Sequence, residues 1–301
     1  MTLDLERLKY LRSFFIEGGR PSRRGYWRDM ADLEAYDQSF AQRIKWKWLS
    51  VFKELEAREF LGGEAIRSVH DFGCGSGIAS RTWIESSWGG SVNQVYLSDH
   101  SSLACEFAEK KLKKIPGFSG KISKQAKANS EKYDLLLISH VGNELDDSAR
   151  GSLFKEILRA KHVIWVDAGT PKSSESLSWM RERALASGYR VVAPCVSQGD
   201  CPIKPGGRDW CHQHGIVPSS VHTDSFWGKF QRDMNISVRS LPLSFIVFSE
   251  VESTPLPPKD GIMVGPISKN KVGHMAWICD GQTLKKQVIK LPNQGWSVMK
   301  K

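Results

Sequence analysis

The feature that most constrains this chain is a glycine-rich turn at residues 71–77, with the sequence Asp-Phe-Gly-Cys-Gly-Ser-Gly. Apolar residues flank the turn on both sides, which is the pattern of a short buried strand that enters a helix. Its glycines, Gly73, Gly75 and Gly77, therefore fall at the carboxyl end of a strand, where open α/β sheets bind their ligands. The sequence predicts an α/β protein.

The spacing of the turn favours S-adenosylmethionine (SAM) as the ligand. Asp71 stands two residues before a G-x-G-x-G pattern, and its carboxylate can hold the cationic amino group of the methionine moiety. Glycine lacks Cβ, so the backbone can turn tightly and approach a ligand closely. A dinucleotide site uses G-x-G-x-x-G, and here the third glycine comes one residue too early. A glycine turn without a ligand is the alternative.

A second acidic residue supports the cofactor interpretation. Asp99 follows the predicted second strand, in the position from which nucleoside-binding folds accept hydrogen bonds from ribose hydroxyls. An aspartate before His100-Ser101-Ser102 can also cap a helix, because its carboxylate accepts hydrogen bonds from free N–H groups of the next turn. The two roles are compatible.

Short apolar runs alternate with helical patterns through the middle of the chain, as a parallel sheet with crossover helices requires. The predicted strands, in chain order, are residues 68–72, 94–98, 121–128, 133–139, 162–167, 189–193 and 243–250. We expect the last strand to run antiparallel between the fifth and the sixth, as in methyl-transferring folds. The fold class is therefore a Rossmann-like, class I SAM-dependent methyltransferase fold.

Three regions are predicted. Residues 1–62 form an N-terminal helical region, and residues 63–252 form the SAM-binding Rossmann-like domain with a cysteine-rich, metal-binding insertion at 195–240. Residues 253–301 form a basic β extension that supplies a fourth cysteine.

Length and composition limit the location. The chain has 301 residues, of which 40% are hydrophobic, enough for one large α/β core with appendages. No apolar run approaches the roughly 18 residues of a membrane span, and the first residues resemble neither a signal nor a transit peptide. Six cysteines without a secretory segment favour a reducing compartment. We expect a cytoplasmic protein, and a monomer is favoured although the sequence does not determine the oligomeric state.

A formal net charge of +10 attracts polyanions, and one segment concentrates cations beside aromatic rings. Four arginines surround Gly25-Tyr26-Trp27 with no acidic residue between them: Arg20, Arg23, Arg24 and Arg28. Single-stranded RNA favours this combination of cations and stackable rings. The segment is a predicted RNA-binding site, with a solvated surface loop as the alternative.

Cys195, Cys201 and Cys211 have C-x5-C-x9-C spacing in proline-rich sequence that suits a loop around a metal, and Cys279 could complete a set of four thiolates. Four thiolates suit either tetrahedral zinc or an iron–sulfur cluster, and the spacing alone does not choose between them. His212 or His214 could replace Cys279 if the metal is zinc. Inert buried thiols are the remaining alternative.

The residues after the fourth predicted strand are candidates for holding the acceptor or the cofactor. His140, Asn143 and Glu144 occupy the position where base-amine methyltransferases carry an Asn/Asp-Pro-Pro-aromatic motif, yet this chain has no proline pair there. That difference argues against ordinary amine methylation of adenine or cytosine. Alternatively, Asn143 and Glu144 simply begin a helix.

Several segments together resemble one family, the methyltransferase-like proteins of the mitochondrial small ribosomal subunit and their bacterial homologues. The segments that carry the resemblance, which covers most of the chain, are residues 71–77, 139–145, 168–171, 193–195, 201–202, 209–212 and 273–279. Two departures are Gly206-Gly207 between Cys201 and Cys211, and Val196-Ser197-Gln198 where the family usually has a histidine. Neither removes a thiol.

The resemblance implies a SAM-binding Rossmann-like domain, association with small-subunit ribosomal RNA (rRNA) during assembly, and a [4Fe-4S] cluster on the four cysteines, with zinc as second choice. It favours a bacterial cytoplasmic member, or a mitochondrial one if a leader was removed. Two functions stay open: an rRNA methyltransferase, and a non-catalytic assembly factor whose cluster is structural or senses redox state or iron. A small-molecule methyltransferase with a zinc knuckle is a third, weaker one.

Overall fold

The computed structural model describes residues 4–15, 25–124, 132–142, 144–204, 206–207, 209–250, 261–271, 273–289 and 296. Two sheets organise these residues: an eight-stranded, mostly parallel central sheet and a three-stranded antiparallel sheet near the C-terminus.

The central sheet has the order β3-β2-β1-β4-β5-β8-β6, and β7 pairs with β8. Its strands are β1 Ser68–Phe72, β2 Gln94–Ser98, β3 Lys121–Ser123, β4 Tyr133–Ser139, β5 Ala160–Ala168, β6 Arg190–Ala193, β7 Gln213–His214 and β8 Pro242–Ser249. Strands β1 to β5 pair in parallel, whereas β8 runs antiparallel to both β5 and β6. The predicted reversed strand is therefore confirmed, and the sheet is Rossmann-like.

The inner strands are nearly continuous apolar runs because helices cover both faces of the sheet. Residues 135–138 of β4 and 163–166 of β5 are fully buried. The third strand is shorter than predicted: β3 ends at Ser123, and residues 125–131 of the chain lie outside the described residues.

Eight α-helices are described: α1 Leu5–Phe15, α2 Met30–Asp37, α3 Phe40–Ala57, α4 Ile78–Ile84, α5 Ser102–Leu112, α6 Asp147–Ile157, α7 Pro171–Ala186 and α8 Ser225–Met234. Capping fixes several starts, because a side-chain oxygen accepts from otherwise free N–H groups. Asp146 caps α6, and Thr170 caps α7 just before Pro171. Three of these helices, α1, α2 and α3, lie within the predicted N-terminal helical region.

The aromatic residues of α3 belong to the core. Trp48 is fully buried and Trp46 packs against Trp227 of α8 with ring centroids 4.8 Å apart. Helix α3 also packs against α4 and β5, so it lies beside the carboxyl ends of the central strands. No helix among the described residues is long and apolar enough to cross a membrane.

The C-terminal sheet consists of β9 Ile262–Asn270, β10 Gly273–Cys279 and β11 Leu284–Ile289, in the order β11-β10-β9. Its buried face, including Ile262 and Ile278, joins the hydrophobic cluster that contains Phe245 of β8. Trp296 continues this attachment, because its indole Nε1 donates to the His214 carbonyl at 3.0 Å. The predicted β extension is therefore built onto the core of the central sheet.

Candidate functional site

The glycine turn follows β1 at the carboxyl edge of the central sheet. All three glycines adopt left-handed backbone conformations, with φ of +65° at Gly73, +51° at Gly75 and +72° at Gly77. A Cβ at Gly73 would lie 2.6 Å from Val141 Cγ1, and one at Gly77 would lie 2.8 Å from Ala108 Cβ. A Cβ at Gly75 would meet no atom within 4 Å. Two glycines thus allow close packing, while the third faces open space.

Asp71 lies beneath the turn and is fully buried. Its Oδ2 accepts hydrogen bonds from Ser80 Oγ at 2.6 Å and Ser80 N at 3.1 Å. Its Oδ1 is buried without a hydrogen-bond partner among the described residues, and so is the hydroxyl of Ser76 within the turn. Burial, with a smaller contribution from the charge of Asp99, raises the pKa of Asp71 to about 7. One carboxylate oxygen therefore anchors α4, whereas the other is a buried acceptor that these contacts leave unused.

Asp99 connects the end of β2 to the glycine turn. Its Oδ2 accepts from the Gly75 amide at 2.9 Å, and its Oδ1 accepts from the Ser101 amide, also at 2.9 Å, at the start of α5. Burial raises the pKa of Asp99 despite these two N–H donors. The N-cap residue of α5 is Ser101 and not Asp99, whose Oδ1 accepts only from the Ser101 amide. The ribose contact stays a prediction.

Two tyrosines of the N-terminal region border the turn, and sequence reasoning did not assign them there. Burial is the largest cause that raises the pKa of Tyr26, followed by the negative charges of Glu144 and Asp99. Tyr36 has a raised pKa from the same three causes, with Asp37 adding to them. The aromatic residue types were visible in the sequence, but the contact that brings them to the turn is long-range.

The structure places one aromatic ring of the predicted RNA-binding segment, that of Trp27, in the core. Trp27 is only 5% exposed and packs in the core formed by α1, α2, α3 and α8, so its ring is not available to stack on a base. Arg28 forms an ion pair at 2.7 Å with the buried carboxylate of Asp32 and lies 3.8 Å over the ring of Tyr10. Arg20, Arg23 and Arg24 lie outside the described residues.

The residues after β4 face helix α3. His140 has a left-handed backbone with φ of +57°, and its Nε2 lies 3.3 Å from Lys47 Nζ. Burial and the neighbouring charges of Lys47 and Arg43 hold the pKa of His140 well below its ordinary value. Burial is also the main cause that lowers the pKa of Lys47 to about 7. The imidazole is therefore neutral at neutral pH and is held against α3.

The other two candidates after β4 have different outcomes. Asn143 lies outside the described residues. Glu144 lies on the surface, where partial desolvation and the negative charges of Asp99 and Asp167 raise its pKa to about 7. It precedes α6, which begins at Asp147 with Asp146 as its cap, so the structure does not place Glu144 within the helix.

Asp167, at the end of β5, is a buried hydrogen-bond acceptor that fixes the loop after β4. Its Oδ2 accepts from the Gly142 amide at 2.8 Å and from Trp165 Nε1 at 3.0 Å. Its Oδ1 accepts from Ser173 Oγ at 3.0 Å. A Cβ at Gly142 would lie 2.7 Å from Oδ2, so only glycine allows this approach. Asp167 is committed to holding the loop.

The four predicted metal ligands line one cavity. Cys195, Cys201, Cys211 and Cys279 come together from the end of β6, the loop that follows it, and the end of β10. Burial first, and then the other thiols, raise the pKa of Cys211, and the same causes raise the pKa of Cys279 to about 11. These thiols stay protonated at neutral pH unless a cation stabilises their thiolates. The other two cysteines, Cys74 and Cys105, lie elsewhere with their sulfur atoms 3.9 Å apart.

Buried arginines hold the cysteine loop from two sides. Arg181 of α7 donates to the carbonyls of Ser197 at 2.9 Å and Gly199 at 2.7 Å. Arg58 donates to the carbonyls of Val192, Pro194 and Cys195 at 2.6, 2.8 and 3.2 Å. The loop therefore has a fixed backbone around the cavity.

The donor chemistry of the cavity fits a thiolate-bound metal, since soft thiolates select zinc or iron–sulfur clusters. Within the described ranges, no group of three or more His, Cys, Asp or Glu side chains lies at the spacing of a bound metal ion. His212 is held apart, because its Nδ1 lies 3.0 Å from the Trp210 carbonyl and its ring stacks on Trp210 with centroids 4.7 Å apart.

The strand order and the glycine turn define the class: a Rossmann-like, methyltransferase-like α/β protein. Residues 50–235 match the family described as mitochondrial small ribosomal subunit Rsm22. The chain belongs to this family. Cys195, Cys201 and Cys211 lie within the matched residues, whereas Cys279 and the C-terminal sheet lie beyond them.

Comparison with solved structures finds methyltransferases at low identity. The plantazolicin methyltransferase BamL, in complex with a desmethyl-plantazolicin analogue and S-adenosylhomocysteine, is 13% identical, with 82% of this chain and 97% of that chain covered and a TM-score of 0.44. Magnesium protoporphyrin IX methyltransferase from Synechocystis, with bound SAM, is 12% identical, with coverage of 82% and 98% and a TM-score of 0.41. No curated protein matches the sequence.

Proposed function

We propose that this protein is a SAM-binding, methyltransferase-like factor that acts on or binds small-subunit rRNA during ribosome assembly. The observation that carries the proposal is the turn itself: Gly75 faces open space, and Asp71 of the same turn has a buried oxygen without a partner among the described residues. Such an oxygen costs free energy unless a ligand satisfies it. Membership of a small-ribosomal-subunit family supplies the partner, and the net charge of +10 suits a polyanion.

The proposed roles follow from position. Asp71 Oδ1 accepts from the amino group of the cofactor, Gly73, Gly75 and Gly77 form the cradle, and Asp99 accepts from the ribose. Tyr26 covers the turn from the N-terminal side. Bound SAM would supply an electrophilic methyl group on a sulfonium, and the chain would contribute chiefly alignment of the acceptor.

A non-catalytic assembly factor is the second candidate, and the end of β4 favours it. Ser139 Oγ accepts from Trp48 Nε1 at 3.0 Å, and His140 Nε2 lies 3.3 Å from Lys47 Nζ. Both side chains are therefore engaged with α3, and neither is free to position an exocyclic amine. In this alternative the metal site is structural or senses redox state or iron.

We also propose that Cys195, Cys201, Cys211 and Cys279 bind a [4Fe-4S] cluster, with zinc as second choice. Convergence of all four thiols on one cavity supports this ligand set, and the family resemblance favours iron. Ultraviolet-visible absorption of anaerobically purified protein distinguishes the metals: a cluster absorbs broadly near 400 nm (roughly the thiolate-to-iron charge-transfer region), whereas a zinc protein is colourless. If the purified protein is colourless and contains stoichiometric zinc, zinc replaces the iron–sulfur cluster as the proposed metal.

The domain boundaries at residues 62 and 252 and the monomeric state stay predictions. The cytoplasmic location also stays a prediction, because the family is described as mitochondrial.

The cofactor proposal is tested by Gly75→Arg, which fills the open space at the turn. Gly117 is a matched control, because it also has a left-handed φ of +79° and no atom near its Cβ position, but it lies after α5. Calorimetry should show that Gly117→Arg binds SAM as the wild type does, while Gly75→Arg does not. Equal SAM binding by both variants, or none by metal-replete wild type, would refute the cofactor site.

Tritiated SAM with immature small subunits then separates the two candidate functions. If the wild type transfers label to rRNA and Gly75→Arg does not, the protein is an rRNA methyltransferase. Subunit maturation without label, in a protein that binds SAM, supports the non-catalytic factor.

A further inference from the structure

Strands β10 and β11 of the C-terminal sheet expose side chains on one face, and these side chains include a tryptophan. Trp277, in the middle of β10, is 38% exposed, and Val288 of β11 is 53% exposed. On the opposite face, Ala276 and Ile278 are each only 1% exposed because they pack into the core. A tryptophan exposed on a strand whose other face is buried indicates a contact surface.

The strand register places a cation beside this ring. Trp277 pairs directly with Lys286, and Met275 pairs with Val288. Residues directly opposite each other share a face of an antiparallel sheet, as do residues two apart on one strand. Trp277, Lys286, Met275 and Val288 therefore form one patch, which we call the β10–β11 face.

The surroundings of the β10–β11 face are basic. Residues 261–289 contain four lysines, Lys269, Lys271, Lys285 and Lys286, against one acidic residue, Asp280. The carboxylate of Asp280 is used within its own turn, because it accepts from the Thr283 amide at 2.6 Å and the Gln282 amide at 3.0 Å. In the part of the chain that the structure describes, none of these lysines forms an ion pair of the kind seen at Lys113. Lys285 and Lys269 pair with Ile278 and His274 on the opposite face, so the charge on the β10–β11 face itself is that of Lys286.

We propose that the β10–β11 face binds single-stranded RNA, with a base stacked on Trp277 and a phosphate held by Lys286. An aromatic ring can stack only on a base that has left a helix, which selects single strands over duplex RNA. Charge favours a polyanion over an apolar protein surface. The inference rests on the proposed rRNA partner but places the contact outside residues 50–235, the part that matches the family.

The test measures fluorescence anisotropy of the whole, metal-replete chain with a labelled single-stranded RNA of about 12 nucleotides, over about 50 to 200 mM salt. Trp277→Ala should weaken binding roughly tenfold, and Trp277→Phe should keep most of the affinity. Lys286→Ala should lower the slope of log affinity against log salt by about 0.7, the loss of one phosphate contact. The control is Lys113→Ala, because Lys113 follows α5 near the opposite edge of the central sheet. Its RNA affinity and salt dependence should change little.

The outcomes separate this inference from the proposed function. Unchanged affinity in Trp277→Ala and Lys286→Ala, with wild-type RNA binding intact, overturns the β10–β11 face alone. Wild-type protein that binds SAM but no RNA overturns both this face and the rRNA partner. If the variants bind RNA normally but immature subunits poorly, the face binds ribosomal protein instead, and the inference fails. Unchanged circular dichroism and SAM affinity show that each variant is folded.

Discussion

Asp71 carries a buried carboxyl whose pKa is raised to about 7. The affinity for the proposed cofactor should therefore depend on pH. The proposed contact to the cationic amino group needs the ionised carboxylate. Below pH 7 a growing fraction of the free protein must first lose a proton, at a cost of up to about 1.4 kcal/mol per pH unit. We predict that calorimetry at pH 6 finds SAM binding roughly tenfold weaker than at pH 7.5.

Two variants check the source of this dependence. Asp71→Asn keeps the side-chain shape but cannot ionise, so its SAM affinity should be weaker and nearly independent of pH. Glu144 also has a pKa raised to about 7, so Glu144→Gln is the control and should retain the wild-type dependence. If SAM affinity were independent of pH in Glu144→Gln but kept the wild-type pH dependence in Asp71→Asn, the titrating group would be Glu144, and the prediction for Asp71 would be wrong.

Lys47 is a buried cation that destabilises the fold at neutral pH. Its pKa is about 7 in the folded protein and about 10.4 in an unfolded chain. Between these values the unfolded chain binds more protons, so stability rises with pH across this window. The free energy of unfolding of the wild type should rise between pH 7 and 9. We predict that this rise, measured by urea unfolding, is about 2 kcal/mol smaller in Lys47→Met.

Lys53 lies on the same helix but is exposed, so Lys53→Met should keep the wild-type pH profile. At pH 7 the Lys47→Met variant should be at least as stable as the wild type, because a buried charge is removed together with its desolvation cost. A parallel pH profile in wild type and Lys47→Met would mean that the lysine is solvated in the folded protein.

At the scale of elements, local pattern was sufficient for the strands but not for the contacts between them. β1, β2 and β4 have the predicted bounds because short, mostly apolar segments between turn residues indicate buried strands. The convergence of the four cysteines was predicted from spacing and resemblance. Tyr26 was assigned to RNA rather than to the glycine turn, and Trp27 was assigned to the surface. Their positions depend on packing between the N-terminal region and distant elements, which no local period encodes.

The pair Glu54 and Arg58 shows how α3 supports the cysteine loop. The two side chains form a buried ion pair at 2.7 Å, and Arg58 also donates to three carbonyls around Cys195. Removing one partner of a buried pair leaves an uncompensated charge. We predict that Arg58→Met lowers the free energy of unfolding by about 3–5 kcal/mol in urea and increases hydrogen exchange in residues 192–196.

Glu109 and Lys113 provide the control, since they form an ion pair with the same spacing but on the surface. Lys113→Met should cost less than about 0.5 kcal/mol. In the double variant Glu54→Gln with Arg58→Met, part of the loss should be recovered because the buried negative charge is gone. A double variant as unstable as the sum of its single variants would show that the pair is not coupled.

At the scale of the whole molecule, the proposed metal site joins parts of the chain that are far apart in sequence. Cys195 follows β6, Cys211 precedes β7, and Cys279 ends β10. The C-terminal sheet shares the core of the central sheet through Ile262 and Ile278, so the cysteines connect elements that already pack together. A bound cluster would add cross-links to this arrangement, and its main effect on stability is to restrict the unfolded chain.

Loss of the metal should therefore destabilise the entire fold rather than one loop. Cross-linking Cys211 to Cys279 closes a loop of about 68 residues, for which chain entropy gives about 4 kcal/mol. In a chain of this size that corresponds to a decrease in Tm of roughly 6 °C on metal removal or in Cys279→Ser. Cys105→Ser, which changes a thiol outside the cavity, should keep both the metal content and the metal-dependent increase in Tm. If calorimetry finds equal Tm values for metal-replete and metal-free wild type, the thiols do not cross-link these elements, because a cation held by Cys211 and Cys279 together must stabilise the native state against the open chain.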